Sequence, residues 1–307
     1  MMFKEMFSDP ELTRVLMSEI LPAEMIKRVD MKSLKARKDT FITNEQSALY
    51  ADLLFDVKMK NKEEGKVYLL FEHKSYSDSQ VTLQLLSYMT EIWRSETSRK
   101  RKSLILPILI SQGSKSWNQP TDLTEDLFDG YQDETLDLFH PYTPNFHYLL
   151  FDVQEKEAVN LIQHSFLRIV LEIFSLVHEV QLDKLESKLI ELLTMNTIKD
   201  ISDSYSEQVI RLLKYLLEGN RQFTRDSLNT INEQVESVRP EGSEMIMNLA
   251  EELRKEGRQK GRQEGQLQKS MQIFEKLKQR GESKETIMDL LDINEAEYER
   301  MKKEIRN

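Results

Sequence analysis

Between residues 50 and 153 the chain alternates short apolar runs with polar stretches, and the lengths of these runs limit the folds it can adopt. The runs span Tyr50–Met59, Lys66–Phe71, Ser103–Ser111 and Phe146–Val153, and each has the length of a β-strand. The short connection between the first two runs predicts a hairpin. The stretch Asp78–Arg94 has apolar residues at helical spacing and could return the chain for parallel pairing. The sequence therefore predicts a mixed α/β sheet.

Helical patterns lie on both sides of these strands. Before them, Pro10–Ile26 is amphipathic and begins at a typical helix start, Ser8-Asp9-Pro10. After Val153 the strand signals stop, and apolar residues recur at helical spacing. The strongest stretches are Leu161–Val180, Leu182–Met195 and Glu207–Leu217. We predict three parts: a core of residues 1–155, a helical region of residues 156–240 and a tail of residues 241–307.

The tail carries a four-residue repeat with glycine at positions 257, 261 and 265. Glycine costs about 1 kcal/mol relative to alanine inside a helix, so the repeat is a poor helix on its own. Two interpretations stay open. The repeat is either a flexible charged linker or a helix whose bare face lets another helix approach closely.

Three short apolar helices are predicted beyond the repeat, at Met271–Gln279, Ser283–Leu291 and Asn294–Ile305. Helices of this length are marginal in isolation and need a surface to pack on. A second copy of the tail is the simplest partner, which predicts a homo-oligomer. The chain's own helical region is an alternative partner, and a helix-turn-helix DNA reader is an alternative role.

Composition excludes several classes of protein. The 307 residues include no cysteine, which excludes disulfides, thiolate zinc sites and a cysteine nucleophile and points to a reducing cytosol. The first residues lack the apolar core of a secretory signal, and the longest apolar run, Leu104–Ile110, is too short to span a membrane. We therefore expect a soluble cytoplasmic protein without a membrane partner. Its net charge of -10 still allows local basic patches and carboxylates that hold a metal.

The predicted hairpin brings charged side chains together. A turn centred on Lys62 sets Asp52 opposite Glu72, and Lys74 lies on the same strand face as Glu72. Neighbouring carboxylates destabilise a sheet unless a cation bridges them, and a magnesium-like ion would do so. Such a site, with a lysine beside it, suits phosphodiester hydrolysis. The alternative is that these residues are ordinary charges on a solvated face.

Other titratable residues of this region have simpler interpretations. His73 points to the opposite strand face, so we expect a packed or hydrogen-bonded histidine there. Asp56 lies further along the strand than Asp52, and a solvated carboxylate is expected. The remaining histidines, His140, His147, His164 and His178, show no ligand spacing.

Several segments agree in order with one known family. They are Tyr50–Phe55 (YADLLF), Tyr68–Ser75 (YLLFEHKS) and Gln84–Met89 (QLLSYM). They resemble the bacterial recombination-promoting nucleases, which are often labelled transposases and belong to the PD-(D/E)XK nuclease superfamily. The opening Phe3–Phe7 with Leu21-Pro22 and the glycine-arginine-glutamine tail also resemble this family. The His-Asp pair that often precedes Phe-Lys in the family is absent here.

The resemblance implies an α/β fold in which a PD-(D/E)XK nuclease-like mixed sheet, flanked by helices, precedes a helical C-terminal region. It implies a Mg²⁺-dependent endodeoxyribonuclease, with Mn²⁺ or Ca²⁺ as alternatives, that hydrolyses double-stranded DNA with low sequence specificity in recombination or mobile-element biology. Asp52 and Glu72 would be the metal ligands and Lys74 the catalytic lysine, while Gln84 and Tyr88 match a Q-x-x-x-Y element of related nucleases.

Three further points stay open. Glu19 and Glu45 are candidates for an additional acidic ligand. A non-catalytic DNA-binding or assembly scaffold on the same fold, and a defence effector or toxin nuclease, are alternative functions.

The densest basic run consists of Arg99, Lys100, Arg101 and Lys102. It follows the predicted helix Asp78–Arg94, where cations are favoured by the helix dipole. We predict that this run also contacts DNA phosphates, and residues 254–262 are a second candidate. Neither segment interleaves aromatic residues with its charges, which favours contact with the duplex backbone over base stacking.

Overall fold

The structure of the chain is a computed structural model that describes residues 2–37, 41–42, 48–49, 53–60, 66–96 and 102–304. Of the predicted site residues, Asp52, Arg99, Lys100, Arg101 and the candidate ligand Glu45 lie outside these ranges. The chain divides into two compact units, Met1–Ile246 and Met247–Asn307. Among the helices of the described ranges, none combines the length and apolar character that crossing a membrane requires.

Five of the strands that the structure describes form one mixed sheet. The strands within the described ranges are β1 (Val29–Arg37), β2 (Phe41–Ile42), β3 (Ala48–Leu49), β4 (Leu53–Met59), β5 (Lys66–Lys74), β6 (Leu104–Ser111) and β7 (Leu149–Asp152). The order in the sheet is β1-β4-β5-β6-β7, and β2 pairs with β3 separately. The β4–β5 hairpin is antiparallel, whereas β5, β6 and β7 are parallel. The predicted mixed sheet is confirmed.

Strand β1 was not predicted from the sequence. It buries Val29, Met31 and Leu34 but intersperses them with charged residues, and it lies at the edge of the sheet. Because an edge strand can leave much of its surface in water, its apolar pattern is weaker than that of a central strand.

Helices α1 (Met2–Phe7), α2 (Pro10–Ile20) and α3 (Ala23–Arg28) precede the strands, and α4 (Val81–Ser95) crosses over between β5 and β6. The sequence predicted one helix over Pro10–Ile26, and the structure breaks it at Leu21-Pro22. Proline disfavours the helical conformation in the residue before it, and Leu21 is extended. Helix α4 packs on one face of the sheet around Leu70, Leu85 and Leu109.

The connection between β6 and β7 contains two short helices, α5 (Leu123–Leu127) and α6 (Asp133–Phe139), and a 3-10 turn, His140–Tyr142. Asp122 caps α5 by accepting hydrogen bonds from the N–H groups of Thr124 and Glu125. Its second oxygen accepts from Asn145 and lies 3.1 Å from His147 Nε2. Burial opposes ionisation of Asp122, but these hydrogen bonds lower the pKa of its carboxyl group.

The helical region consists of α7 (Lys156–Asn160), α8 (Ser165–Leu176), α9 (Leu182–Thr194), α10 (Ile198–Gly219) and α11 (Arg225–Glu236). Eight of the 12 residues of helix α8 are buried, and the rings of Phe7 and Phe174 meet edge to face at 6.4 Å. The predicted helical character is confirmed, although α11 was missed. It buries only Ser227, Leu228, Ile231 and Val235 in an otherwise polar stretch.

The glycine repeat lies in one continuous helix, α12 (Pro240–Gln279). Helix α12 is followed by α13 (Lys284–Leu291) and α14 (Glu295–Glu304). Residues 254–269 are exposed at every position, and a Cβ atom on Gly257, Gly261 or Gly265 would meet nothing within 4 Å. The flexible-linker interpretation is therefore wrong. The lysine, arginine, glutamine and glutamate residues around each glycine favour a helix strongly enough to offset its cost.

The last helices pack on one another. Phe274, Ile287, Tyr298 and Met301 form a buried cluster, with the rings of Phe274 and Tyr298 5.1 Å apart. Gly281, with φ of 79°, ends the turn after α12, as glycine can at a left-handed position. The apolar residues of the short helices thus have partners within their own unit. Assembly through the tail stays a prediction.

Candidate active site

The register of the β4–β5 hairpin agrees with a turn centred on Lys62. Leu53 pairs with Phe71, Leu54 with Leu70, and the series continues to Lys58 with Lys66. One step before Leu53, the same register predicts Asp52 opposite Glu72, but Asp52 lies outside the described residues. Glu72 is buried near the carboxyl end of β5, in the middle of the sheet.

Four of the five predicted catalytic residues meet in one hydrogen-bonded network. Lys74 Nζ donates to Gln84 Oε1 at 2.7 Å and lies 3.3 Å from Glu72 Oε1. The amide nitrogen of Gln84 donates to Glu72 Oε1 at 2.9 Å and to the Tyr88 hydroxyl at 2.6 Å. Gln84 therefore bridges the carboxylate and the ammonium group, which fixes the orientation of its amide. Gln84 and Tyr88 lie four residues apart on α4 and share one helix face, as that spacing predicts.

Asp78 is a member of the network that the sequence analysis missed. It lies in the turn between β5 and α4, where its Oδ2 is 2.9 Å from Lys74 Nζ and its Oδ1 accepts from the N–H of Gln80. The available signal was an acidic residue four positions after the lysine, just before a helix. Such a residue is often only a turn former, so spacing alone did not distinguish it.

The charges around Lys74 keep it protonated. Burial favours loss of the Lys74 proton, but the hydrogen bond to Asp78 and the charge of Glu72 outweigh burial and raise the pKa of the ammonium group. Burial likewise opposes ionisation of Asp78, yet its hydrogen bonds with Lys74 and Gln80 lower the pKa of its carboxyl group. The network thus contains a fixed positive charge between two carboxylates.

The donor set at this end of β5 suits a hard divalent cation. Within the part of the chain that the structure describes, no three His, Cys, Asp or Glu residues converge on a metal position. Magnesium needs only one or two carboxylates, because water and substrate phosphate complete its coordination. Glu72 supplies one carboxylate there, and the predicted Asp52 would supply the second.

The opposite face of β5 is tied to the helical region. His73 stacks on Phe3 with ring centroids 4.7 Å apart, and its Nε2 lies 2.8 Å from Gln112 Oε1. The buried Gln112 amide donates to the Phe174 carbonyl at 3.1 Å and to the Tyr215 hydroxyl at 3.0 Å. The predicted packed, hydrogen-bonded histidine is confirmed.

Gln112→Ala should lower the free energy of unfolding by about 2–3 kcal/mol, because the buried Phe174 carbonyl and the half-buried His73 ring lose this partner. Urea denaturation would measure the change. Gln163→Ala is the matched control, since Gln163 is exposed and makes one hydrogen bond to a nearby carbonyl. Equal midpoints for the two variants would contradict the anchoring role.

The other predicted residues lie elsewhere. Lys102 Nζ donates to the carbonyl oxygens of Trp93 and Glu96, at 2.5 and 2.8 Å, and so caps the C-terminal end of α4. Glu19 lies on α2, which packs on β1 and α8. The expectation that Asp56 is a solvated carboxylate is wrong. Asp56 is half-buried, and its carboxylate lies 3.7 Å from Arg37 Nη1.

The chain is similar to several known proteins. The family model described as "Putative transposase, YhgA-like" matches residues 1–205. Recombination-promoting nuclease RpnD of Escherichia coli O157:H7 is 25% identical over 258 residues, which cover 82% of this chain and 92% of the relative. Recombination-promoting nuclease RpnA of E. coli K12 is 25% identical over 259 residues, covering 83% and 82%.

A third relative carries a different description. The inactive recombination-promoting nuclease-like protein RpnE of E. coli K12 is 25% identical over 299 residues, covering 96% of this chain and 94% of the relative. No solved structure matches the chain significantly. Because the family model extends from the first helix through the sheet, the site and most of the helical region, the chain belongs to the YhgA-like putative transposase family.

Proposed function

We propose that this protein is a metal-dependent endonuclease of the PD-(D/E)XK type that hydrolyses double-stranded DNA with low sequence specificity. One observation carries the proposal: a half-buried ammonium group, Lys74, is held beside the Glu72 carboxylate at the end of a central strand by Gln84 and Asp78. The names of RpnA and RpnD support a nuclease that acts in DNA recombination.

In this proposal Glu72 and Asp52 hold Mg²⁺, with Mn²⁺ or Ca²⁺ as alternatives. The bound ion would lower the pKa of a water molecule and offset negative charge on the scissile phosphate. Lys74 orients the attacking water and stabilises the charge that develops on the phosphate oxygens. Gln84 holds Glu72 and Lys74 at a fixed separation, and the Tyr88 hydroxyl holds Gln84.

Asp78 acts as a positioning residue. Asp78 contacts Lys74, and its role is to restrict the ammonium group to one place. A long lysine side chain loses rotamer freedom when it is fixed, and fixing it before substrate arrives removes that cost from the reaction.

A scaffold without activity is the second candidate, because RpnE is described as inactive. The network favours the active enzyme, since Glu72, Lys74 and Gln84 retain both their residue types and their contacts. A toxin or defence nuclease would use the same chemistry under different regulation. We further propose that Arg99–Lys102 contacts DNA, that the tail forms a homo-oligomer and that the protein acts in the cytoplasm.

The experiment is a supercoiled-plasmid nicking assay with purified protein. We expect nicking with Mg²⁺ or Mn²⁺ and its loss when a chelator removes the metal. Cleavage that persists in chelator would refute metal dependence. DNA binding without cleavage in any of the three metals would favour the scaffold.

A further inference from the structure

The segment between β6 and β7 contains a strongly acidic surface that the proposed nuclease chemistry does not use. We call residues 122–142, with helices α5 and α6, the acidic insert. No lysine or arginine occurs between Ser116 and Glu155. The insert exposes five carboxylates, none of which forms an ion pair within the described part of the chain: Glu125, Asp129, Asp133, Glu134 and Asp137.

The same insert exposes large apolar side chains. They are Leu127 (37% exposed), Tyr131 (63%), Leu138 (67%), Phe139 (58%) and Tyr142 (85%). Phe128, Tyr131, Leu136 and Phe139 line a cavity of about 260 Å³ whose wall is mainly apolar. A cavity of roughly 150 Å³ is enough for a benzene ring, so this one can hold an aromatic or leucine side chain. Exposed apolar groups concentrated in this way mark an interaction surface.

We infer that the acidic insert is a docking surface for a basic segment of a partner protein, whose single aromatic or leucine side chain enters the cavity between Tyr131 and Phe139. Charge decides the class of partner. DNA would be repelled by the five carboxylates, whereas lysine and arginine side chains around an apolar anchor match both the charge and the cavity. The carboxylates would set the orientation and the association rate, and the buried anchor most of the affinity.

The position of the insert gives the docking a consequence. The Thr82 hydroxyl of α4 donates to Asp126 of the insert, and Ser77, next to Asp78, donates to Asn118 at 2.5 Å. The docking surface is therefore attached to the helix that carries Gln84 and Tyr88. A bound partner would therefore be recruited next to α4, which contributes Gln84 and Tyr88 to the candidate active site.

The test uses the full-length protein and two labelled peptides in the presence of chelator, so that DNA cleavage plays no part. In the first peptide a leucine is flanked on both sides by lysines and arginines, and in the second the leucine is replaced by serine. Fluorescence anisotropy should show saturable binding of the first peptide. We expect at least about tenfold weaker binding of the second, which corresponds to about 1.4 kcal/mol.

Two variants and two matched controls locate the site. Tyr131→Ser with Phe139→Ser should weaken binding of the leucine peptide at least about tenfold, as removal of an anchor pocket does. Val180→Ser with Val238→Ser replaces equally exposed apolar residues elsewhere and should leave binding unchanged.

The charge of the insert is tested separately. Asp129→Asn, Asp133→Asn and Asp137→Asn together should weaken binding and flatten its salt dependence. The control variant neutralises Asp200, Asp203 and Glu207, which are exposed acids of α10. It should change neither the binding of the peptide nor its salt dependence.

Three outcomes would overturn the proposal. The first is equal binding of the leucine and serine peptides, which would leave only non-specific attraction to an acidic protein. The second is equal loss of binding in insert and control variants. The third is a doubling of mass in light scattering that the Tyr131 and Phe139 substitutions abolish, which would assign the surface to a second copy of this chain.

Discussion

Glu72→Gln should reduce Mg²⁺-dependent plasmid nicking by on the order of 100-fold or more. The substitution keeps the shape of the side chain and an oxygen that can accept from Gln84, but it removes the negative charge. A neutral amide binds a divalent cation far more weakly than a carboxylate. It also removes one of the charges that face Lys74. Electrostatic groups of this kind each contribute on the order of 100- to 1000-fold to a rate.

Folding should survive this change. Lys74 keeps its contacts with Asp78 and Gln84, so the melting temperature measured by circular dichroism should move little. Glu91→Gln is the matched control, because Glu91 lies on α4 and pairs only with the exposed Arg94 among the described residues. Asp52→Asn should lose activity in the same way. Wild-type nicking by Glu72→Gln at saturating magnesium would refute the proposed site.

Gly242→Ala should destabilise the protein by about 3 kcal/mol, a cost typical of forced overpacking. A Cβ atom at this position would overlap the carbonyl oxygen of Leu193 and lie 2.9 Å from Cγ1 of Val235. A backbone oxygen cannot turn aside as the end of a flexible side chain can, so α12 would have to move away from α9. Urea denaturation monitored by circular dichroism would measure the loss.

Alanine at Gly257, on the same helix, should stabilise the protein instead of destabilising it. Its Cβ atom would meet nothing, so Gly257→Ala should gain about 1 kcal/mol of helix stability from the lower entropy of the unfolded chain. A higher helicity of Gly257→Ala than of the wild-type protein at high temperature would show this gain. A destabilised protein and a smaller mass in light scattering would instead mean that the glycine face packs against another copy. Equal effects at Gly242 and Gly257 would contradict the packing described for α12.

The β4–β5 hairpin shows which features of the site can be predicted from the sequence. Strand period and loop length predict the pairing of Leu53 with Phe71, and helical spacing predicts that Gln84 and Tyr88 share a face. These are local rules, and one register error would have moved Glu72 to the wrong side of the sheet. The environment of Lys74 and the contact of His73 with Gln112 depend on chain segments that are distant in sequence.

The role of Asp78 and the identity of Gln112 as the partner of His73 could not be predicted for that reason, whereas β1 was missed because the apolar pattern of an edge strand is weak. Asp78 is informative only once Lys74 is known to turn toward it, and Gln112 only once α8 and α10 surround it. The linker interpretation of the glycine repeat was wrong for a different reason. Its composition allowed both a linker and a helix, and the balance of many small propensities decided the outcome.

The exposed part of α12 has a consequence for how the chain opens. No side chain of residues 254–269 is buried, so backbone hydrogen bonds and surface ion pairs such as Lys255–Glu251 hold this stretch without a core. Its amide protons should exchange with solvent long before those of β5 or α8, because opening here exposes no core. Trypsin would find six basic residues in such an opening, at positions 254, 255, 258, 260, 262 and 269. Cleavage there leaves the apolar cores on both sides whole, so limited proteolysis should yield two resistant fragments.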